Sequence, residues 1–114
     1  MRLGKRGEEL AKEFLISQGL RFLEANFRHR FGEIDLIMLD GETLVFVEVK
    51  YRSSERYGTS LEQVTREKTR KIKLVAQIYL QRYRAEVPFV RFDVIGINPQ
   101  KTGYRVKWVK GAFE

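Results

Sequence analysis

The chain has 114 residues, with 22 Lys or Arg against 15 Asp or Glu, a formal net charge of +7 and a sequence pI of about 9.9. It contains no cysteine, which excludes disulfides, thiolate nucleophiles and thiolate metal sites and fits an intracellular setting. The length predicts a single domain over residues 1–114. The absence of a signal-like or bilayer-length apolar run predicts a cytoplasmic protein, and the basic balance favours a polyanion as partner, nucleic acid before a membrane surface.

From Gly4 to Gly19 the apolar residues Leu10, Ala11, Phe14 and Leu15 recur at helical spacing. They predict an amphipathic helix with Gly19 as its stop. Glu8 and Glu9 stand in its first turn, where carboxylates complement the positive end of the helix dipole. Leu20 to Phe31 alternates loosely between apolar and basic residues and predicts a short strand with a turn near Asn26. Arg28, His29 and Arg30 follow. They read either as a solvated loop or as phosphate contacts, for which the forked guanidinium of Arg is suited. His29 is the only histidine, which leaves no basis for a His-based metal site.

The central stretch runs from Gly32 to Lys50. Two β-rich apolar runs flank Asp40-Gly41-Glu42, the pattern of a β-hairpin with a tight turn. Asp35 lies in the first strand; Glu48 and Lys50 lie in the second. Side chains two apart on a strand share a face, so Glu48 and Lys50 point together, and counting back from the turn brings Asp35 opposite them. Three charges then converge on a largely buried hairpin, an arrangement that is costly unless the charges compensate one another as a salt-bridge cluster or bind something.

Tyr51 to Ser60, which includes Arg52, is polar with no periodicity and predicts a mobile loop of the kind that carries binding groups. Leu61 to Arg84 predicts the longest helix, with Ile72, Val75, Ile78 and Tyr79 as its inner stripe. Its first half holds Arg66, Lys68, Arg70 and Lys71, a basic run that reads as a solvated face or as a phosphate-binding face. Phe89 to Ile97 predicts a strand, with Asp93 paired to an arginine. A turn at 98–103 and a last strand over 104–109 close the chain, with Trp108 as a packing residue. The order α-β-β-β-α-β-β gives an α/β layered domain with a mixed five-stranded sheet.

Two carboxylates on adjacent strands make a hard oxygen site suited to Mg²⁺ or Mn²⁺, which bind through one or two carboxylates plus substrate phosphate. A lysine on the same face can orient a metal-bound water and stabilise phosphorane-like charge. An acidic spot on a basic surface is the division of labour of a metal-dependent phosphodiesterase.

Asp35 followed by Glu48-Val49-Lys50 resembles the signature of the PD-(D/E)xK nuclease superfamily. The surrounding segments Gly7-Glu8-Glu9-Leu10-Ala11, Asn26 to Ile37, Leu44 to Ser53, Val64-Thr65 with Lys68, Phe92-Asp93-Val94 and Ala112-Phe113 resemble the YraN-type family of predicted endonucleases, similar to archaeal Holliday junction resolvases. The resemblance implies a restriction-endonuclease-like core with the central sheet flanked by helices. It implies Asp35 and Glu48 as metal ligands, Lys50 as the catalytic lysine and Glu8 as an extra carboxylate beside the metal. It further implies a homodimer, and DNA rather than RNA as substrate, with branched or structured DNA among the candidates. The alternative is a nucleic-acid-binding module that keeps the fold without cleavage; a basic structural protein of a ribonucleoprotein is a third. Candidate nucleic-acid contacts are Arg28, Arg30, Arg52, Arg66, Lys68, Arg70 and Lys71.

Overall fold

A computed structural model describes residues 3–51, 65–83 and 86–114, with side chains from Arg6 onward. Its elements are α1 (Leu3–Ser17), β1 (Arg21–His29), β2 (Gly32–Asp40), β3 (Thr43–Tyr51), α2 (Arg66–Tyr83), β4 (Phe89–Pro99) and β5 (Tyr104–Phe113). The five strands form one mixed sheet in the order β1-β2-β3-β4-β5, in which β3 and β4 run parallel and the other neighbours are antiparallel. The element order and the mixed sheet agree with the sequence expectation. Among the described residues, no helix is long and apolar enough to cross a membrane.

The strand at the centre of the sheet is apolar on both sides, as a strand covered on both faces must be. Val45 and Val47 pack with Leu36, Met38, Ile95 and Ile97 against Ala11 and Leu15 of α1. Leu44 and Phe46, on the opposite face, pack with Ile34 and Ile37 against Ile72, Val75, Ala76 and Tyr79 of α2. The result is three layers, helix on sheet on helix. At the end of α1, Gly19 at φ 99° lets its own N–H reach the carbonyl of Ile16 and that of Leu20 reach Leu15, the paired bonds of a Schellman stop.

Four sequence expectations are corrected. Glu8 and Glu9 stand beyond the first turn of α1, because the helix begins at Leu3. Asn26 does not turn the chain: β1 continues through it, with Asn26 at φ 56°, a left-handed conformation that Asn tolerates better than most residues. The helix predicted from Leu61 begins at Arg66, because the Thr65 hydroxyl accepts the N–H of Lys68 at 3.1 Å and so caps the first turn; residues 61–64 and Arg84 lie outside the described residues. The last strand runs on to Phe113, where Phe113 stacks on Phe92 with ring centroids 5.0 Å apart. The predicted loop after Tyr51 also lies outside the described residues.

Candidate metal and phosphate site

The pairing of β2 with β3 extends from Asp40↔Thr43 to Leu36↔Val47; one step further come Asp35 and Glu48. Here β2 is irregular. Ile34 packs with the α2 layer and Leu36 with the α1 layer, although residues two apart on a regular strand share a face. The facing of β2 therefore changes at Asp35. On β1 the residue between the pairs Ala25↔Leu36 and Phe27↔Ile34 is Asn26, the one with positive φ. This shared irregularity leaves the Asp35 carboxylate to accept the N–H of Val49 at 2.8 Å.

Glu48 follows Leu44 and Phe46 in alternation and so faces α2, where it lies beside Ile34, Phe46 and Ile72. It is only 8% exposed, and it forms an ion pair with Lys68 of α2. Burial first, then the neighbouring charge of Glu48, push the Asp35 carboxyl up to about 8; the charges of Glu8 and Glu33 add to this, while the Val49 N–H pulls it back. The charges of three carboxylates, from α1, β2 and β3, thus bear on Asp35.

Asp93 shows what a structural carboxylate looks like in the same molecule. It is fully buried and accepts two bonds from the Arg91 guanidinium, at 2.9 and 3.0 Å, one from the Trp108 indole at 2.9 Å and one from the Gly111 N–H at 3.0 Å. Every oxygen is met by donors and the charge is matched, as buried charges require. Arg91 also reaches Asp40 at 3.0 Å. The arginine partner expected for Asp93 and the packing role expected for Trp108 are both present; Trp108 lies edge-on to Phe14 as well.

Glu8 projects from α1 and accepts a bond from the Asn26 amide at 2.9 Å. Its neighbour Gly7 makes the approach possible, since a Cβ there would stand 2.8 Å from Cβ and Cδ2 of Tyr51. Lys50 is half-buried on the same strand as Glu48, two residues on, in register with Gly96 of β4. Of the expected phosphate contacts, Arg28 pairs with Glu33 at 2.6 Å, and Arg70 and Lys71 pair with Glu67 at 3.0 and 3.7 Å. Arg30 lies over the ring of the exposed Phe31, Arg66 is exposed, and Arg52 lies outside the described residues. A groove of about 350 Å³ separates Gly32 and Glu33 from Thr65, Lys68 and Lys71 at the start of α2. Lys68, expected from sequence as a phosphate contact, instead pairs with Glu48; its position four residues before Ile72, one turn ahead of the buried stripe, is the signal for that inward role. Glu33 was not singled out from sequence, although it stands two residues before Asp35.

Among the described residues, no three His, Asp or Glu side chains group closely enough to hold a metal ion alone. The donor set still fits a hard divalent ion of the Mg²⁺ type, which takes one or two carboxylates and fills its remaining positions with water and phosphate. The raised Asp35 carboxyl, pressed by like charges, is what a cation at this spot would relieve.

Residues 7–97 match the uncharacterised protein family UPF0102. The chain belongs to that family. It is 47% identical to the UPF0102 protein of Symbiobacterium thermophilum over 98% of this chain and 96% of the relative. It is 44% identical to that of Methylococcus capsulatus over 97% and 89% respectively. A loose structural likeness, with a TM-score of 0.37 at 13% identity, is to SfsA of Pyrococcus furiosus in complex with Ca²⁺; it covers 95% of this chain and 62% of that one.

Proposed function

We propose that this UPF0102 protein is a Mg²⁺- or Mn²⁺-dependent endonuclease that hydrolyses phosphodiester bonds in DNA, with Asp35 and Glu48 as metal ligands. The observation that carries this reading is the contrast between two buried acidic sites. Asp93 is neutralised by four donors, whereas Asp35 is forced towards its protonated form by burial and by the charges of Glu48, Glu8 and Glu33. A site left in that condition stores electrostatic work that a cation recovers.

The bound metal would polarise the scissile phosphate and lower the pKa of an attacking water. The chain's own residues have separate tasks. Glu48 and Asp35 hold the cation, with Asp35 fixed by the Val49 N–H. Glu8, tied to Asn26, borders the site from α1. Lys50 stabilises charge developing on the phosphate. Arg28, Arg30, Arg52, Arg66, Arg70 and Lys71 supply the attraction for the DNA backbone. The resemblance to YraN-type and Holliday junction resolvase-like nucleases supports the same reading and adds branched DNA as substrate and a homodimeric assembly to the proposal; a cytoplasmic setting, expected from the sequence, completes it.

Asp35→Asn separates an enzyme from a module that only binds. As an enzyme, the variant loses cleavage by at least about a hundredfold while anisotropy shows DNA binding retained or tightened. If the wild type binds DNA but never cuts it, and the variant binds identically, the enzyme reading is wrong.

A further inference from the structure

Lys68 differs from the other cations of α2. The buried stripe of that helix reads Tyr79, Ala76, Val75 and Ile72, and the next place towards the N-terminus on the same face is Lys68, four residues before Ile72. Arg70 and Lys71 pair with Glu67 on the helix surface. Lys68 instead reaches inward and pairs with Oε2 of Glu48, its side chain 52% exposed and that of Glu48 9%. An apolar residue here would simply extend the stripe, but it would remove the ion pair that α2 makes with the buried carboxylate of Glu48.

The carboxylate that Lys68 pairs with is also one that would hold a divalent cation. An ammonium and a metal ion at contact distance from the same carboxylate repel each other, so each weakens the other's binding. Lys68 can leave at low cost, because its stem is half-exposed and its head opens onto the groove between Glu33 and Lys71. We infer that Lys68 is a positioning residue of this site, a counter-cation that holds Glu48 in the metal-free protein and is displaced from it when a divalent cation binds. This rests on the reading of Asp35 and Glu48 as metal ligands. It gives the site two states, closed by its own lysine or opened to the metal, and ties the start of α2 to occupancy.

Mn²⁺ binding to the full chain, read by the loss of the free-ion electron paramagnetic resonance signal, tests the inference without any cleavage assay. Lys68→Met and Lys68→Gln are compared with wild type, Lys68→Arg and Glu48→Gln, with folding of each verified by circular dichroism. Removing the competing charge tightens Mn²⁺ binding about tenfold in the Met and Gln variants, while Lys68→Arg stays within about twofold of wild type. Glu48→Gln loses binding. Binding by the Met or Gln variant where the wild type shows none also supports the inference, since the lysine is then blocking the site. If the wild type binds and neither neutral variant binds more tightly, Lys68 is only a structural partner and the inference fails while the metal site stands. No binding by wild type, Met or Gln variant overturns the inference together with the metal reading.

Discussion

Asp35 and Asp93 are the same residue type in opposite environments, and substitution by Asn should reveal it. Asp93→Asn removes the charge that matches Arg91, and Arg91→Ala strands the charge of Asp93; either should cost about 3–5 kcal/mol of stability in chemical denaturation. Asp35→Asn should do the reverse, raising the melting temperature of the metal-free protein at neutral pH by roughly 5 °C, because an amide spares the chain the cost of protonating on folding a carboxyl that is ionised in the unfolded state. The pH dependence follows from the direction of the shift. With the Asp35 carboxyl near 8 in the folded chain against an ordinary 3.8, the folded state holds the extra proton between those values. That contribution is fully present below pH 4 and is lost as the pH rises to 8. The stability difference between wild type and Asp35→Asn should therefore widen in favour of the variant as the pH rises through this window without metal. A difference that is flat with pH would mean that Asp35 ionises freely in the folded protein.

At the scale of elements, the site depends on how closely α1 approaches the end of β3. Gly7→Ala places a Cβ 2.8 Å from Cβ and Cδ2 of Tyr51, a contact that only a shift of the helix relieves. The variant should lose about 1–3 kcal/mol and, with Glu8 displaced, bind Mn²⁺ more weakly; unchanged stability and binding would show that α1 has slack at this point. The hairpin β2–β3, the inner stripe of α2 and the stop at Gly19 were legible in sequence because period and turn chemistry are local properties. That Asp35 and Glu48 stand near each other at the end of the hairpin was legible by counting back from a turn. What could not be read locally is the change of facing at Asp35, which depends on the left-handed Asn26 opposite and on which layer claims Ile34 and which Leu36. In sequence Lys68 reads as a phosphate contact, and its pairing with Glu48 was hidden for a related reason: within a run of four basic residues, charge alone does not distinguish the one that the helix turns inward.

Across the whole molecule, a net charge of +7 surrounds an acidic spot. The surface pairs of Arg70 and Lys71 with Glu67 are exposed and worth little, so exchanging that carboxylate for a phosphate would cost those side chains little. Replacing Arg66, Arg70 and Lys71 together by Gln should weaken DNA binding for every sequence and reduce the slope of log K against log salt by about 2–3; an unchanged slope would return these residues to a merely solvated face. The central claim, that the carboxylate pair cuts DNA through a metal, is tested most directly by incubating labelled linear duplex, single-stranded and four-way-junction DNA with the protein. Mg²⁺, Mn²⁺ and a chelator are compared, with wild type beside Glu48→Ala. Cutting that requires a divalent metal and disappears with Glu48→Ala is the predicted result, whereas intact DNA under every metal, or cutting that survives the substitution or the chelator, would contradict it.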